Sequence, residues 1–223
     1  VSSEIFSVVA LGEGAWTIVL GDAVSPAVHA RVTAAAARIS AAALPGIIEI
    51  VPAYAALTVF FDARATDAEA FRVRLSDLAQ PESGLPDSVL TTSPSSSPLL
   101  TIPVRYDGPD LDEVAATLGV PRAEVIRRHA EREYLVYLLG FAPGFAYLGD
   151  LDPLLVLPRR RTPRTRVPAG SVAIAGAQTA VYPLVTPGGW HVIGTTPLRM
   201  FDPARNPAAL LKAGNRVRFE PLP

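Results

Sequence analysis

The sequence predicts two unlike folding units: an α+β two-layer sandwich of order ββαββα over residues 1–80, and an all-β barrel with a short helical insert over residues 99–223. Three observations carry this reading. Strand-length apolar runs alternate with two helix-period segments in the first 80 residues. A Pro- and Ser-rich stretch with little apolar content, residues 81–98, then interrupts the pattern as a linker, or as a mobile flap over a site. After Tyr134 the chain becomes a series of short β patterns separated by Gly and Pro corners.

Taken in order, Ile5 to Ala10 and Ala15 to Leu20 flank Gly12-Glu13-Gly14 and predict a hairpin. Ser25-Pro26 supplies an N-cap and a first-turn proline for an alanine-rich helix to about Ala42, which Pro45-Gly46 ends. Ile47 to Val51 and Ala55 to Phe61 predict two more strands. Thr66 is expected to cap a second helix that carries Phe71, Leu75 and Leu78 on one face.

In the second unit Leu99 to Tyr106 predicts a strand, Asp110 opens a helix as a capping box with Glu113, and Pro121 opens another to about Glu131. The pair has helix-turn-helix spacing at Ala115, Gly119 and Val125, with Arg122, Arg127 and Arg128 on the second helix. It lies between strands of an otherwise neutral domain, so it reads as an insert supporting the barrel rather than a reader of nucleic acid. Tyr134 to Leu139 predicts a buried strand and Val172 to Tyr182 a weakly alternating one. Trp190 and Val192 fall opposite His191 and Ile193, and Val217 and Phe219 point inward from Arg216 to Phe219. Pro143-Gly144 and Pro187-Gly188 have the sequence of type II turns, and Gly189 removes a side chain where a neighbour approaches the backbone.

Composition narrows the chemistry. Twenty basic and 21 acidic residues give a net charge of −1, which supplies no bulk attraction to nucleic acid or an anionic membrane. No basic leader precedes an apolar core and no apolar run is long enough for a span, so the expectation is a soluble cytoplasmic protein. The lack of cysteine excludes disulfides, thiolate metal sites and thiol nucleophiles. Lys212 is the single lysine and sits in LLKAGN, so there is no phosphate loop of the GxxxxGK[ST] type and no biotinyl site. His29, His129 and His191 are too far apart in sequence to suggest a metal site.

Three ordered blocks are more specific than any of this: GFAPGFAYLG, TPRTRVPAGSVAIAGAQT and PGGWHVIG. They resemble the signature blocks of the PxpB/KipI family, also called allophanate hydrolase subunit 1, and the resemblance runs from about Glu4 to Leu222. It implies that the barrel is cyclophilin-like. It implies a larger PxpC/KipA-like partner (allophanate hydrolase subunit 2), the pair corresponding to one domain of urea amidolyase. With a PxpA/LamB-like protein, such complexes resemble 5-oxoprolinase, which uses ATP with Mg to open 5-oxoproline to glutamate. No covalent cofactor in this chain is implied. Two other readings go with the family: allophanate hydrolysis to ammonia and carbon dioxide, and inhibition of a sensor histidine kinase by a KipI-like regulator. One departure from the family pattern is Thr195, in IGTTP, where members often carry arginine.

Candidate residues fall within or beside these blocks. Arg159, Arg160 and Arg161 suit a phosphate or carboxylate, or form a solvated loop facing an acidic partner; Arg164 and Arg166, inside the second block, are taken as substrate or nucleotide ligands. Gln178 has an amide that can read a lactam, ureide or adenine edge, or close a turn. His191 is the acid/base candidate by its intrinsic pKa, against a purely structural role. Ser171 is a third catalytic candidate, although PAGSV lacks the spacing of a nucleophile elbow and its hydroxyl also suits a ligand or turn hydrogen bond. Tyr182, Phe145 and Tyr147, with Tyr137, Phe141 and Trp190, line a pocket or fill a core, and Gly188 and Gly189 let a ligand approach.

Overall fold

The structure, a computed structural model, describes residues 5–80 and 99–223. The predicted linker at 81–98 lies outside the described residues. The chain divides into two compact units, Val1–Ser96 and Ser97–Pro223.

In the first unit β1 (Ser7–Ala10), β2 (Ala15–Val19), β3 (Ile47–Pro52) and β4 (Ala56–Phe61) form an antiparallel sheet of order β1-β2-β4-β3. Helices α1 (Pro26–Ala41) and α2 (Ala68–Ala79) bury Val32, Ala35, Ile39, Phe71 and Leu75 against Ile18, Leu57, Val59 and Phe61 of the sheet. Removing each large side chain of this set from water contributes roughly 2 kcal/mol. Ser25 caps α1 as its sequence predicts, accepting from the Val28 N–H. Thr66 does not cap α2. Asp67 does, its carboxylate accepting from the Glu69 and Ala70 N–H groups at 3.0 Å each, because an anion also gains from the positive helix start.

The second unit is a seven-stranded sheet of order β12-β9-β10-β7-β6-β13-β5, built from β5 (Leu99–Val104), β6 (Glu133–Leu139), β7 (Ala146–Gly149), β9 (Ser171–Ala175), β10 (Gln178–Val181), β12 (His191–Thr195) and β13 (Arg216–Pro221). Arg105 and Thr195 exchange two backbone hydrogen bonds of 2.8 Å, linking the ends of the two edge strands, so the sheet is a nearly closed barrel. Its interior holds Ile102, Val104, Val136, Leu148, Val172, Ile174, Val181, Ile193, Val217 and Phe219. The inward placing of Val217 and Phe219 follows the predicted alternation.

Helices α3 (Leu111–Leu118) and α4 (Arg122–Ala130) pack on this core through Leu111, Val114 and Val125. Thr179 donates its hydroxyl to the Ala173 carbonyl and so accepts from His129 Nε2 at 2.8 Å, leaving Nδ1 to accept from the Tyr106 hydroxyl at 2.8 Å. Both ring nitrogens are thus satisfied in the neutral form, and complete burial holds the His129 pKa down to about 3. The basic residues of α4 are spent locally. Arg127 pairs with Glu124 and Glu131, Arg128 with Glu124 and Asp152, and Arg122 with Asp112, which leaves no row of free cations for a phosphate backbone.

Three local expectations are corrected. Asp110 makes no side-chain cap bond at α3, because its carboxylate is drawn to other partners described below. The segment from Val172 to Tyr182 is two strands, since Gly176 turns the chain at φ +55. Pro187-Gly188 is not a turn but part of β11 (Thr186–Gly188), which pairs with β8 (Arg164–Val167); Pro143-Gly144 does have the positive φ, +78 at Gly144, of a type II turn.

Candidate functional site

The β9–β10 hairpin separates the candidates into two faces, because successive side chains of a strand point to opposite sides. Ile174, opposite Thr179 and His191, faces the barrel interior. Ala173, opposite Ala180 and Val192, faces outward onto a second apolar cluster of Phe145, Val167, Tyr182 and Trp190, against which Tyr147 packs. Gln178 and Ser171 share the outward parity, and His191 the inward one. Gln178 and His191 therefore lie on opposite faces of one sheet.

Ser171 and Gln178 are also apart along the hairpin. The Ser171 carbonyl accepts from the Tyr182 N–H at one end, while Gln178 lies opposite Ala175 at the other, roughly 13 Å away at the rise of a strand. The three catalytic candidates do not converge. Ser171 is buried and lies on the face of the sheet opposite His191, so that histidine does not activate it as a nucleophile. His191 Nε2 lies 2.9 Å from the Pro158 carbonyl, which can only accept, so Nε2 donates there, and the buried Nδ1 has no hydrogen-bond partner among the described residues.

The aromatic candidates do converge. Phe145 contacts Tyr147, Tyr182 and Trp190 with ring centroids 5.0, 5.3 and 5.8 Å apart, all in edge-on arrangements. A Cβ at Gly188 would come 2.2 Å from the Tyr182 hydroxyl, so Gly188 makes room for that ring. At Gly189 the nearest atom would be 3.6 Å away, an ordinary contact, so the close approach predicted there belongs to Gly188. Burial pushes the Tyr182 pKa up against a backbone hydrogen bond at Trp190 and the charges of Arg159 and Arg164, so the phenol is neutral at physiological pH.

Beside this cluster Asp110 organises the arginines. Its side chain is 2% exposed, accepts two bonds from Arg164 (2.7 and 2.6 Å), one from Arg160 (2.6 Å) and one from the Val192 N–H (2.7 Å). Burial alone would raise the Asp110 pKa; the Arg164 and Val192 hydrogen bonds and both guanidinium charges outweigh it, and the net shift is downward. Arg160 also reaches Glu113 at 2.9 Å, and its N–H donates to the Gly189 carbonyl. Arg164 and Arg160 are therefore held by carboxylates. Arg159, Arg161 and Arg166 are exposed and make no hydrogen bond or ion pair among the described residues. These are the guanidiniums that can take up an anion.

A family model, the carboxyltransferase domain, subdomain C and D, matches residues 6–211. The chain belongs to this family. As a carboxyltransferase-domain protein it is 42% identical over 219 residues to a 5-oxoprolinase subunit of Bacillus subtilis, covering 94% of this chain and 90% of that one. It is 41% identical to the namesake of that subunit from Escherichia coli O157:H7, with 95% and 94% covered. These names agree with the PxpB/KipI resemblance of the three blocks. Among solved structures, TTHA0988 superposes with a TM-score of 0.81 at 39% identity over 94% of this chain, which spans only 40% of that longer protein. The Kluyveromyces lactis urea carboxylase, at 17% identity and TM-score 0.73, shares the fold over 22% of its length.

Within this carboxyltransferase-domain protein no helix among the described residues is long and apolar enough to cross a membrane, and no group of three His, Asp or Glu side chains there could hold a metal. The residue that sequence reasoning missed is Asp110. Its arginine partners lie 50 and 54 residues away, and no local spacing marks a contact made only when the 158–164 segment lies across β12.

Proposed function

We propose that the chain is a cytoplasmic subunit of an ATP-dependent 5-oxoprolinase that acts with a larger PxpC/KipA-like subunit and a PxpA/LamB-like protein. The observation that carries this reading is the 42% and 41% identity, over nine-tenths or more of both chains, to two proteins named as 5-oxoprolinase subunits. In the proposed reaction ATP phosphorylates the lactam oxygen of 5-oxoproline. The activated C–N bond is then opened by water to give glutamate, ADP and phosphate.

The site geometry favours a division of labour. Arg166, with Arg159 and Arg161, offers uncommitted guanidiniums for phosphate or carboxylate, and Asp110, Arg160 and Arg164 act as the frame that holds them. Gln178 and His191 lie on opposite faces and serve different groups rather than one atom, so only one of them belongs to the lactam site in this chain. Ser171 is assigned no covalent role.

The test is glutamate formation from 5-oxoproline by this chain coexpressed with the larger subunit and the third protein, against mixtures each lacking one protein or ATP. Product only in the complete mixture is the expected result. Release of ammonia from allophanate without ATP, or tight binding to a histidine kinase by the chain alone, would replace the reading.

A further inference from the structure

The two edges of the first-unit sheet differ. Edge strand β3 carries the devices that keep an edge from pairing: its register shifts between Ile47 and Glu49, Glu49 is charged and exposed, and Pro52 closes the strand. Edge strand β1, Ser-Val-Val-Ala, has none of them. Its register with β2 is regular, it holds no charge and no proline, and no strand among the described residues pairs with its other side.

The ladder fixes which groups face that open side. The Leu11 N–H donates to the Ala15 carbonyl and the Leu20 N–H to the Ala55 carbonyl, so odd residues of β1 bond to β2 while even residues of β2 bond to β4. Hydrogen bonding alternates along an antiparallel pair, so Val8 and Ala10 turn their N–H and C=O groups to the free edge. The side chains alternate across the sheet. Val8, opposite Ile18, packs on the buried core, whereas Val9, opposite Thr17, and Leu11 stand on the other face and are each 54% exposed.

An antiparallel copy of β1 presents the same groups at the same spacing. About a two-fold axis at Val9, Val8 and Ala10 of one chain meet Ala10 and Val8 of the other and exchange N–H···O=C bonds, Val9 lies against Val9, and Leu11 lies against Ser7. We propose that β1 is a homodimerisation edge, at which two copies of this chain join their four-stranded sheets into one continuous antiparallel sheet. The second copy is favoured over a foreign strand because the two-fold sets the exposed Val9 on its own equivalent, a β-branched pair with no charge opposed to a like charge. Two strands of this length bury less than the ~1,200 Å² of a lasting interface, so the dimer is weak and concentration-dependent.

Sedimentation equilibrium of the whole chain across the micromolar range tests this, alongside Ala10→Pro and Val9→Lys. The mass of the native chain is expected to rise toward that of a dimer. Ala10→Pro deletes an N–H that β2 does not use, and Val9→Lys sets two cations face to face at an exposed position. Each is expected to raise the dimer Kd about tenfold or more while the Tm stays within about 2 °C of the native value. If Ala10→Pro unfolds the chain, Val9→Lys decides alone. A chain that stays monomeric at every concentration would overturn the proposal, as would a dimer whose Kd neither variant changes. A monomer that captures the larger subunit through an edge closed by Ala10→Pro would overturn it in favour of a foreign strand.

Discussion

Arg164 grips Asp110 through both carboxylate oxygens, and the Val192 N–H donates to the same 2%-exposed group, so one side chain ties the 158–164 segment to β12 and the start of α3. Asp110→Asn keeps the shape and removes the charge. It leaves the partly buried Arg164 without its counterion and Arg160 with Glu113 alone, and the expected cost is about 3 kcal/mol. Urea unfolding of the whole chain, followed by a probe in the barrel, measures it. A loss below about 0.5 kcal/mol would show that the clamp is a surface pair in energetic terms.

Two buried groups, His129 and Asp110, contribute to the acid response of the barrel. The folded His129 pKa is about 3 against roughly 6.5 unfolded, so the unfolded chain binds the extra proton between those values, and stability is full above 6.5 and falls as pH drops toward 3. The limiting slope from this residue is ~1.4 kcal/mol per pH unit. Asp110, whose pKa is lowered, contributes stability that is present above roughly 4 and is lost as pH falls through its folded value. Unfolding free energies between pH 7 and 4.5 should therefore decline in the native chain, and decline less in His129→Gln. Equal slopes would show that His129 does not set this window.

Gly188 and Tyr182 supply a test of packing. Gly188→Ala puts a methyl 2.2 Å from the Tyr182 hydroxyl and 2.8 Å from the ring carbon that carries it, so either β11 or the ring must move, at about 1–3 kcal/mol. Tyr182→Phe removes the nearer of these atoms. In the double mutant the loss should be smaller than the sum of the single losses. Simple additivity in thermal unfolding would mean that the ring shifts freely and that β11 does not depend on it.

The difference between what the sequence predicts and what it conceals follows from the range of the interactions. Ser25-Pro26, the hairpin at Gly12–Gly14 and the alternation of Val217 and Phe219 are legible because capping, turn chemistry and strand period act over two to four residues. Phe145 and Tyr147 lie within the first ordered block and Tyr182 just beyond the second, which is why they are legible as candidates. Asp110 could pass for a helix cap because Asp-x-x-Glu has the spacing of one; its real partners lie 50 and more residues away, a separation that carries no periodicity. The same reason separates Gln178 from His191. Strand parity is visible in each segment, but the register that sets one against the other exists only in the sheet.

The two arginines of the second block should behave differently, although the sequence treats them alike. Arg164 ends on a buried carboxylate, so Arg164→Ala leaves Asp110 undercompensated and should lower the Tm, with activity falling in step with the folded fraction. Arg166 is exposed and touches no carboxylate among the described residues, so Arg166→Ala should leave the Tm within about 1 °C, since surface substitutions of this kind change stability little. If the proposed anion contact is made there, the complete mixture should show glutamate formation reduced tenfold or more, with Arg166→Lys restoring part of it through charge alone. Saturating the assay with the larger subunit separates the two causes of such a loss. A defect that disappears at saturation belongs to assembly with the larger subunit, and one that persists belongs to the phosphate or carboxylate of the substrates. Full activity in Arg166→Ala at limiting concentrations of the larger subunit would remove this residue from both roles.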